Sequence, residues 1–423
     1  MKITQIYEIM NAVADEILGE HDIIKEDLTN IVDMGQNFLG MGTDNYVKTL
    51  VDKVGKVVFA DRGYIGSAPS VFMDSWEFGA IKQKITVSQL PDVVANSSWS
   101  LTDGMSYDPN IFHAPQVQSK FFSNMVTFEV DMSFTEKQLK SSFNSVDELN
   151  GFISMIGTSI ENAFTIRINQ LIMETIDNAI MQTMVREWAG TGVYFDVSTP
   201  EKAKASIAKF AGNNSLNQAV NLLKLYNDTY SKTLKKDKCM YDKDFLRYAS
   251  YTMGMWIDYM KDISVLYNSG GLPRFTPPES LHFVLLSQFA RASETFMESE
   301  VYHNELIKLP NGYETIQKWQ GTGASHAFES VSKIHIQAPM ITDVKINGEN
   351  GSINGFDFEF DGVIGVMFDR EALGVSNMDR RVTTQYNPKG EFYNNFYKFE
   401  AGYFNDLNEN FVVFYVADPV PIV

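Results

Sequence analysis

The strongest constraint on the fold is a helical pattern of roughly forty residues near the middle of the chain. It opens at Ser145 and Glu148, which have the spacing of a capping box, where each side chain binds the backbone amide of the other residue. Apolar residues then recur at helical spacing as far as Trp188, without the strict seven-residue repeat of a coiled coil. At about 1.5 Å per residue, such a helix is roughly 60 Å long. We therefore predict one long spine helix, with a kink or a late start left open by Gly151 and Gly157.

Two segments before this helix alternate apolar and polar side chains, which is typical of half-buried β-strands. They are residues 80–87 and residues 125–132. If they pair antiparallel, Lys82 and Lys84 of the first face acidic residues of the second. The insertion between them is rich in Asn, Ser, Asp, Pro and aromatic residues, and a loop of this length usually has a function. We predict a two-stranded excursion from the body of the protein, with a surface insertion of no function as the alternative.

The remaining sequence mixes helical and strand patterns, which predicts an α+β fold class. Helical patterns cover residues 1–65, 201–210 and 214–229, and the segment after a second capping box at Thr276 and Glu279. Strand patterns cover residues 333–338, 356–361, 396–401 and 411–416. Asn-Gly pairs at residues 347–348 and 354–355 predict turns between strands.

The net charge of −18, from 35 basic and 53 acidic residues, limits the partners of this chain. Proteins that bind nucleic acid or anionic membranes need clustered basic residues, so neither activity is expected. The single cysteine, Cys239, excludes a disulfide within the chain and a cysteine-based zinc cluster. The N-terminus lacks the apolar core of a signal peptide, and no segment has the ~18 apolar residues of a membrane-spanning helix. We therefore expect a protein that is made in the cytosol.

No pattern of catalytic or metal-binding residues stands out in the sequence. Residues 321–326 are rich in glycine but lack the lysine of a phosphate-binding loop, and Ser325 beside His326 has no nucleophile elbow around it. The six histidines include no pair at metal-ligand spacing. Residues 350–361 match a calcium loop only loosely, and a hairpin turn explains them better. We predict no enzymatic activity, no catalytic residue, no metal site and no cofactor.

Two further residues could carry chemistry but are better explained as structural. Cys239 follows three lysines, which could lower the pKa of its thiol, but no histidine or acid is placed to assist it. His335 lies within a strand pattern. We predict that both residues are structural. The lysines are predicted to form a solvated face, with pairing to an acidic neighbouring subunit as the alternative.

The order of these elements resembles the Hong Kong 97-type fold of tailed-bacteriophage major capsid proteins. In both, an arm, an extended loop, a spine helix, a mixed central domain and returning strands follow one another. The similarity is most telling at residues 362–374, where a strand ends in Asp369 and Arg370, and at residues 380–390 with the aromatic strands that lead to Val416. Among these capsid proteins the chain looks most like those of small podoviruses (picovirus-like).

The resemblance implies five regions in the chain. They are an N-terminal arm at residues 1–68, an extended loop with a β-hairpin at 69–143, a peripheral domain with the spine helix at 144–200, an axial domain at 201–365, and C-terminal strands that complete the peripheral domain at 366–423. A two-stranded ribbon is only marginally stable alone, so a projecting loop must be covered by something outside its own subunit. This requirement favours a protein whose copies assemble with one another.

The same resemblance implies a major capsid protein that self-assembles as hexamers and pentamers of an icosahedral phage head around double-stranded DNA. The expected partners are further copies of the chain and scaffolding, portal and head-fibre proteins, with packaged DNA as non-specific contents and no membrane. The protein would be made in the bacterial host cytoplasm and become part of the virion. An encapsulin-type nanocompartment shell and an acidic cytosolic enzyme of unrecognised type remain the alternatives.

Contacts between subunits are predicted on the excursion and on the strand that follows it. Large aromatic side chains and charges in a projecting loop are typical of such contacts. Each aromatic side chain could instead pack within its own subunit. The predicted contact residues are Trp76, Phe78, Lys82, Lys84, Trp99, Phe121, Phe122, Glu129 and Asp131.

Overall fold

The structure is a computed structural model with helices and sheets in both halves of the chain, which confirms the α+β class. The residues that it describes are 10–15, 49, 69, 71, 82–91, 93, 100–106, 110, 112, 114–137, 146–191, 195–298, 312–319, 330–346 and 349–420. The main helices within these ranges are α1 (Val146–Ala189), α2 (Pro200–Asn213), α3 (Leu222–Tyr230), α4 (Lys236–Cys239), α5 (Lys243–Lys261) and α6 (Ser287–Glu298). The strands there are β1 (Lys82–Val87), β2 (Val117–Phe122), β3 (Met125–Thr135), β4 (Ala219–Asn221), β5 (Leu281–Leu286), β6 (Tyr313–Ile316), β7 (Lys333–Ala338), β8 (Ile341–Ile346), β9 (Glu349–Ile353), β10 (Phe356–Asp361), β11 (Val363–Asp369), β12 (Leu373–Asn387), β13 (Phe392–Asn405) and β14 (Phe411–Tyr415).

Helix α1 confirms the predicted spine helix. It spans Val146–Ala189, whereas Ser145 of the predicted capping box lies outside the described residues. From Ile160 onward most of its apolar side chains are buried, and consecutive residues such as Ile180 and Met181 are both fully buried. The helix is therefore covered on more than one side. The strands that it contacts include β7, β8, β12 and β13.

A five-stranded sheet with the order β4-β14-β11-β5-β6 has a core on each of its two faces. Every side chain of β11 and β14 is buried. Val366 and Phe368 of β11 belong to a core shared with α1 and α2, whereas Ile364 and Met367 belong to a second core shared with α3 and α5. Burial on both faces explains why these strands read as continuous apolar runs rather than as alternating patterns.

Strands β12 and β13 form a long hairpin, and β3 completes a three-stranded sheet beside β13. Phe128 of β3 stacks on Phe399 of β13 with ring centroids 6.2 Å apart, and Phe399 contacts Phe164 of α1 at 5.6 Å. This aromatic row binds the sheet to the spine helix. The predicted strands at residues 396–401 and 411–416 are confirmed as parts of β13 and β14, and those at 333–338 and 356–361 pair with each other as β7 and β10.

The excursion pairs its strands differently from the prediction. Strand β1 pairs with β2, which places Lys84 opposite Lys120. Strand β3 pairs instead with β13, which places Glu129 opposite Lys398. The predicted charge ladder between β1 and β3 is therefore wrong. The reason is that β3 shares a buried aromatic face with a strand far along the chain, and no local pattern can reveal such a partner.

Helix α3 is shorter than the helix predicted at residues 214–229. Residues Ala219–Asn221 form strand β4 instead, which pairs in parallel with β14 at an edge of the central sheet. The helix begins at Leu222, because the Asn221 side chain accepts a hydrogen bond from the Lys224 amide as an N-cap. The helix predicted at residues 201–210 is confirmed as α2.

The helix predicted directly after the capping box at Thr276 is wrong. Residues Pro278–Ser280 form a 3-10 turn, and the chain continues as strand β5. Pairing of β5 with β11 and β6 buries Val284 and Leu285 in the two different cores, and this burial outweighs the local capping signal. A helix follows only at Ser287, as α6.

The two Asn-Gly pairs each stand between two consecutive strands, although residues 347–348 lie outside the described residues. Residues 347–348 separate β8 from β9, and Asn354 and Gly355 connect β9 to β10. Residues 350–361 are mainly strand rather than a calcium loop, but β9 pairs with β8 and β10 pairs with β7, so the hairpin predicted across residues 354–355 is wrong. Within the described residues, no group of three or more His, Cys, Asp or Glu side chains could hold a metal ion. None of the helices in that part of the chain is long and apolar enough to cross a bilayer.

Candidate functional site

The β1–β2 hairpin has one face toward the body of the chain and one toward solvent. Cross-strand neighbours share a face in an antiparallel pair, so Lys82 and Phe122 lie on one side and Gln83 and Phe121 on the other. Phe122 is buried, whereas Phe121 is 62% exposed. The inner face therefore attaches the hairpin to its own subunit, and the outer face is available for contacts.

Two lysines stand directly opposite each other on the inner face. Lys84 and Lys120 are register partners, an arrangement that is repulsive unless something neutralises it. The Asp406 carboxylate lies between them: its Oδ2 atom is 3.1 Å from Lys84 Nζ, and its Oδ1 atom accepts a hydrogen bond from Lys120 Nζ at 3.0 Å. One carboxylate thus ties both strands of the hairpin to the β13–β14 connection.

Two more carboxylates and an arginine complete this ionic cluster. Lys84 Nζ lies 2.8 Å from Glu409 Oε1 and 3.3 Å from Glu371 Oε2. Arg274 Nε lies 3.4 Å from Glu409 Oε2, and Arg274 Nη1 donates to the Val87 carbonyl at the end of β1 at 3.2 Å. We call the whole cluster the clasp; its residues are Lys84, Lys120, Arg274, Glu371, Asp406 and Glu409.

The charges of the clasp act in a largely buried site. The side chain of Asp406 is 2% exposed and that of Lys84 is 12% exposed. Burial disfavours the charged form of Lys84, but the carboxylates of Glu409 and Asp406 outweigh this effect and raise the lysine pKa. Burial also opposes ionisation of Asp406, but Lys120 and Lys84 prevail and lower its pKa. Both shifts mean that the folded chain stabilises the charged forms, so the clasp is a network of ions.

The backbone holds the acidic side of the clasp in place. The Asp406 amide donates to the Ala372 carbonyl at 2.7 Å, and the Glu409 amide donates to the Asp406 carbonyl at 3.2 Å. Asp406 Oδ1 also accepts a hydrogen bond from the Asn408 amide at 3.2 Å, as in an Asx turn. These bonds hold the backbone at both acidic residues and orient the Asp406 carboxylate without any help from the hairpin.

An aromatic contact supports the attachment at the other end of β1. Phe122 packs on Phe404 of β13 with ring centroids 4.9 Å apart, and Lys82 Nζ lies 4.6 Å from the centre of the same ring. A cation over an aromatic face adds electrostatic attraction to the apolar contact. Gly374 makes room for this ring, because a Cβ atom at that position would overlap Phe404.

The outer face of the hairpin is an exposed apolar strip. The strip consists of Ile85, Val87, Val117 and Phe121, which are between 43% and 65% exposed. Val87 and Val117 are register partners, so both strands contribute to the same surface. Contiguous exposed apolar surface is typical of interaction sites.

The connection between β1 and β2 extends this apolar character. The Ser88 amide donates to the Gln116 carbonyl at 2.9 Å, directly beyond the paired strands. Among the described residues further out, Val93 and Phe112 are almost fully exposed, and Leu101 and Met105 are more than half exposed. The described part of the connection therefore presents large apolar side chains to its surroundings.

Four of the predicted contact residues lie on the hairpin itself. Lys82, Lys84 and Phe122 face their own chain, through the Phe404 ring and the clasp. Phe121 faces outward in the apolar strip. Contact of these residues with another subunit stays a prediction, and the geometry favours Phe121 for that role.

The other predicted contact residues lie outside the hairpin. Glu129 on β3 forms an ion pair of 3.1 Å with Lys398, its register partner on β13. Asp131 is exposed on the same face of β3. The remaining three lie outside the described residues; they are Trp76, Phe78 and Trp99.

The sequence patterns did not single out the acidic half of the clasp. Asp406 and Glu409 lie in a polar connection between two predicted strands, and Arg274 follows a turn, so each resembles an ordinary surface charge. One sequence feature could have pointed to the clasp: the connection after β13 carries acidic residues, and the excursion carries lysines that need acidic partners. Only the packing of the β1–β2 hairpin on the β13–β14 connection brings these charges together.

Other residues with possible chemistry are structural where the structure describes them. Cys239 is buried, and burial raises the pKa of its thiol to about 12, which is opposite to the lowering that the nearby lysines suggested. His335 Nε2 lies 2.7 Å from Asp357 Oδ1, which fits the predicted structural role. The glycine-rich residues 321–326 lie outside the described residues.

Solved phage capsids resemble the chain weakly but over most of its length. The capsid structure of Staphylococcus phage Andhra has 10% sequence identity and a TM-score of 0.43, with 84% of this chain and 87% of that chain covered. The capsid structure of the cyanophage P-SCSP1u has 12% identity and a TM-score of 0.42, with 84% and 90% covered. Similarity at this level assigns no function by itself. A comparison with curated proteins finds no match.

A protein-family model matches nearly the whole chain. Its description is Phi29-like phage major capsid protein, and the match runs from residue 10 to residue 415. The match confirms the predicted resemblance to tailed-phage major capsid proteins and favours the phage head over a nanocompartment or an enzyme. The chain therefore belongs to the Phi29-like phage major capsid proteins, the structural proteins that form the icosahedral head of the virion.

Proposed function

We propose that the chain assembles as pentamers and hexamers, and that the apolar strip of each β1–β2 hairpin packs on a neighbouring copy in the head. The single observation that carries this proposal is a hairpin whose inner face is bound by the clasp while its outer face is exposed and apolar. Contacts of one surface with a different surface of the next copy generate closed rings, as capsomers require.

The energetics of the strip support a contact with protein. Full burial of a large apolar side chain such as Ile85 or Phe121 contributes about 1.5–3 kcal/mol relative to leaving it exposed. The clasp already fixes the hairpin on its own subunit, so docking loses little further conformational entropy. A preorganised apolar strip can therefore form a specific interface of modest area.

The five regions predicted from the sequence form part of the proposal, together with the Hong Kong 97-type fold. Helix α1 lies within the peripheral region at 144–200, and the core shared by α3 and α5 combines residues of the axial region at 201–365 with Met367 of β11 and with residues of β14. Strands β12 and β13 pair with β3, which supports their assignment to the peripheral domain. Strand β14 pairs with β4 of the axial region and with β11, which crosses the predicted boundary at residue 365, so we extend the axial domain to include both β11 and β14.

The proposed partners follow from the role of a coat protein in head assembly. They are scaffolding, portal and head-fibre proteins, with double-stranded DNA as non-specific contents of a podovirus-type head. The net charge of −18 supports weak contacts with DNA, because tight phosphate binding needs clustered basic residues. Synthesis in the bacterial host cytoplasm and the absence of enzymatic activity fit a structural protein.

The first test removes the apolar strip while leaving the clasp intact. The double variant Ile85→Ser and Phe121→Ser, coexpressed with its scaffolding protein, should fold but fail to form closed heads in negative-stain electron microscopy and light scattering. The matched control is Met340→Ser, which removes an apolar side chain of similar exposure on the connection between β7 and β8. Heads of normal size and yield from the double variant would refute the proposed contact.

A second variant tests the connection between the two strands. Replacing residues 89–115 by a short glycine-containing turn retains β1, β2 and all clasp residues. We expect a monomer with an unchanged thermal unfolding temperature and no shell formation. Normal shells would show that the connection makes no contact that assembly requires.

A further inference from the structure

The segment that follows α5 presents a second exposed apolar surface. We call residues 263–275 the apolar turn. Four of its apolar side chains are between 50% and 58% exposed, although they belong to the body of the subunit rather than to the hairpin. They are Ile263, Val265, Leu266 and Phe275. Apolar side chains that stay exposed together in this way are typical of an interaction site.

No comparable cluster is present elsewhere on the described body of the chain. Outside the hairpin and its connection, the other exposed aliphatic and methionine side chains of the described residues are isolated from one another along the chain. They stand one each on β3, on α1 and on the connection between β7 and β8, as Met125, Ile166 and Met340. Single exposed apolar residues are ordinary, whereas the group on the apolar turn needs an explanation.

The backbone directs the apolar side chains of this turn away from the clasp. Ser264 and Arg274 form an antiparallel bridge, in which the Ser264 amide donates to the Arg274 carbonyl at 2.8 Å and the reverse bond measures 3.0 Å. Arg274 extends its side chain into the clasp. Successive side chains of an extended chain point to opposite sides. The residues that flank the bridge, Ile263, Val265 and Phe275, therefore project away from the clasp.

The β13–β14 connection and the start of β14 hold the apolar turn in a fixed position. The Ser269 amide donates to the Leu407 carbonyl, and the Phe411 amide donates to the Tyr267 carbonyl, both at 2.9 Å. The same connection carries two carboxylates of the clasp, which bind the hairpin. One segment thus positions both the apolar turn and the apolar strip within a subunit, and a preorganised surface loses little conformational entropy on docking.

We propose that the apolar turn of one copy receives the apolar strip of a neighbouring copy's hairpin. This inference rests on the proposed function and names the surface on which the strip packs. A ring of subunits needs two different surfaces on every copy, held at a fixed angle to each other. The strip is one of them, and the apolar turn has the matching chemistry for the other.

The charges of the two surfaces favour this pairing. The polar residues that share the outer face of the hairpin with the strip, Gln83 and Ser119, are uncharged. The exposed apolar side chains of the turn bring no charge either, and Arg274 is bound in the clasp. Asp262, directly before the turn, is exposed to solvent. Because each copy has a net charge of −18, contact through uncharged faces avoids the repulsion that acidic faces would add.

The test cross-links heads that are assembled with the scaffolding protein from a mixture of two variants, Val117→Cys on the strip and Val265→Cys on the turn. A short bis-maleimide should join the two variants into dimers in mixed heads, whereas heads made from either variant alone should give none. Cys239 should not react, because it is buried and burial raises the pKa of its thiol to about 12. The matched control is Met340→Cys in place of Val265→Cys, at a side chain of similar exposure, and it should give no dimers.

A second variant tests whether assembly needs the apolar turn. The double variant Ile263→Ser and Phe275→Ser should keep its unfolding temperature, because both side chains are more than half exposed in the subunit. The protein concentration at which heads form should rise by at least about tenfold, because less apolar surface is buried between copies. Met340→Ser is the control and should leave this concentration unchanged.

Each of three results would overturn the inference. One is the absence of cross-links between the Val117→Cys and Val265→Cys variants in heads whose normal form is verified by electron microscopy. Another is an equal yield of dimers in heads of Val265→Cys alone, which would show that two turns meet each other. The third is normal head formation by the double serine variant of the turn.

Failure of the assembly proposal is recognised separately, by normal heads from the Ile85→Ser and Phe121→Ser variant. If that variant forms no heads while the cross-links are absent, the strip still contacts a neighbouring copy, and only the apolar turn is excluded as its partner surface.

Discussion

Lys84 and Lys120 face each other across the β1–β2 pair, and the Asp406 carboxylate holds both ammonium groups at 3.1 and 3.0 Å. Without the carboxylate, the two ammonium groups would repel each other and separate the strands. Because the buried Asp406 carboxylate forms an ion pair with each lysine, the two lysines instead attach both strands to the same residue. The attachment depends on residues almost three hundred positions away in the chain, as the separation of 286 positions between Lys120 and Asp406 shows. The position of the hairpin on its own subunit therefore depends on the folded C-terminal strands.

Replacing Asp406 by asparagine should loosen the hairpin while both cores stay folded. Removing one partner of a buried ion cluster costs about 3–5 kcal/mol, because the remaining charges lose their neutralisation. We expect faster hydrogen exchange at the amides of β1 and β2, measured by mass spectrometry, with unchanged protection in α1 and β14. The matched control is Asp228→Asn, which removes the exposed i,i+4 partner of Lys224 and should cost only about 0.3–0.5 kcal/mol. Unchanged exchange in the hairpin of the Asp406 variant would contradict this role of the clasp.

The stabilisation by Asp406 should disappear in acid. The pKa of Asp406 in the folded chain lies below the ordinary value of 3.8. Its contribution to the free energy of unfolding is therefore complete above pH 3.8 and is lost as the pH falls through the folded pKa. The pKa of its partner Lys84 is raised above the ordinary value of 10.5. The contribution of Lys84 to the free energy of unfolding therefore persists until the pH rises past 10.5. We expect the difference in unfolding temperature between the parent and Asp406→Asn to be constant from about pH 5 to pH 10 and to shrink below pH 3.8. A difference that shrinks already between pH 7 and pH 5 would argue against an ionic clasp.

Replacing Asp177 by asparagine should stabilise the protein at neutral pH. Asp177 is fully buried in α1, and neither carboxylate oxygen has a hydrogen-bond partner within the described structure. Burial, reinforced by the charge of Glu174, raises its pKa well above the ordinary value of 3.8. The unfolded chain therefore releases this proton more readily, and stability falls as the pH rises above 3.8 toward the folded pKa.

Asparagine has nearly the same shape and no charge to bury, so the variant should lack this pH-dependent loss. Calorimetry at pH 7 should show an unfolding temperature that is higher by a few degrees, with the advantage shrinking toward pH 4. The exposed residue Asp131 provides the control, because Asp131→Asn should change the unfolding temperature little at either pH. A lower unfolding temperature for Asp177→Asn at pH 7 would show that the carboxylate has a stabilising partner.

Assembly should weaken at low ionic strength. Each copy carries a net charge of −18, so copies repel one another as they approach. The Debye length rises from about 8 Å at 0.15 M salt to about 30 Å at 0.01 M, which extends the repulsion across a whole interface. Light scattering at a fixed protein concentration should therefore show slower and less complete shell formation at 0.01 M salt. Rates that do not depend on salt would mean that local charge complementarity compensates the net charge.

Local sequence patterns were enough to predict the elements whose periodicity is strong. The spacing of apolar residues predicted α1 almost to its ends, and alternation predicted β7, β10 and the central part of β13. Periodicity is a property of neighbouring residues, so it is visible without knowledge of the rest of the fold. It failed at β4 and β5, where short apolar runs are buried on both faces and helix and strand cannot be told apart by spacing.

The partners of those elements were decided by the tertiary structure. Alternation in β1 and β3 showed that each strand has an inner and an outer face, but it could not reveal that they belong to different sheets. Asp406 became part of a site only when the β13–β14 connection met the hairpin, since a carboxylate in a polar loop has no distinguishing local pattern. Strand pairing and ion clusters depend on the burial of residues far apart in the chain, and that information is absent from any short stretch of sequence.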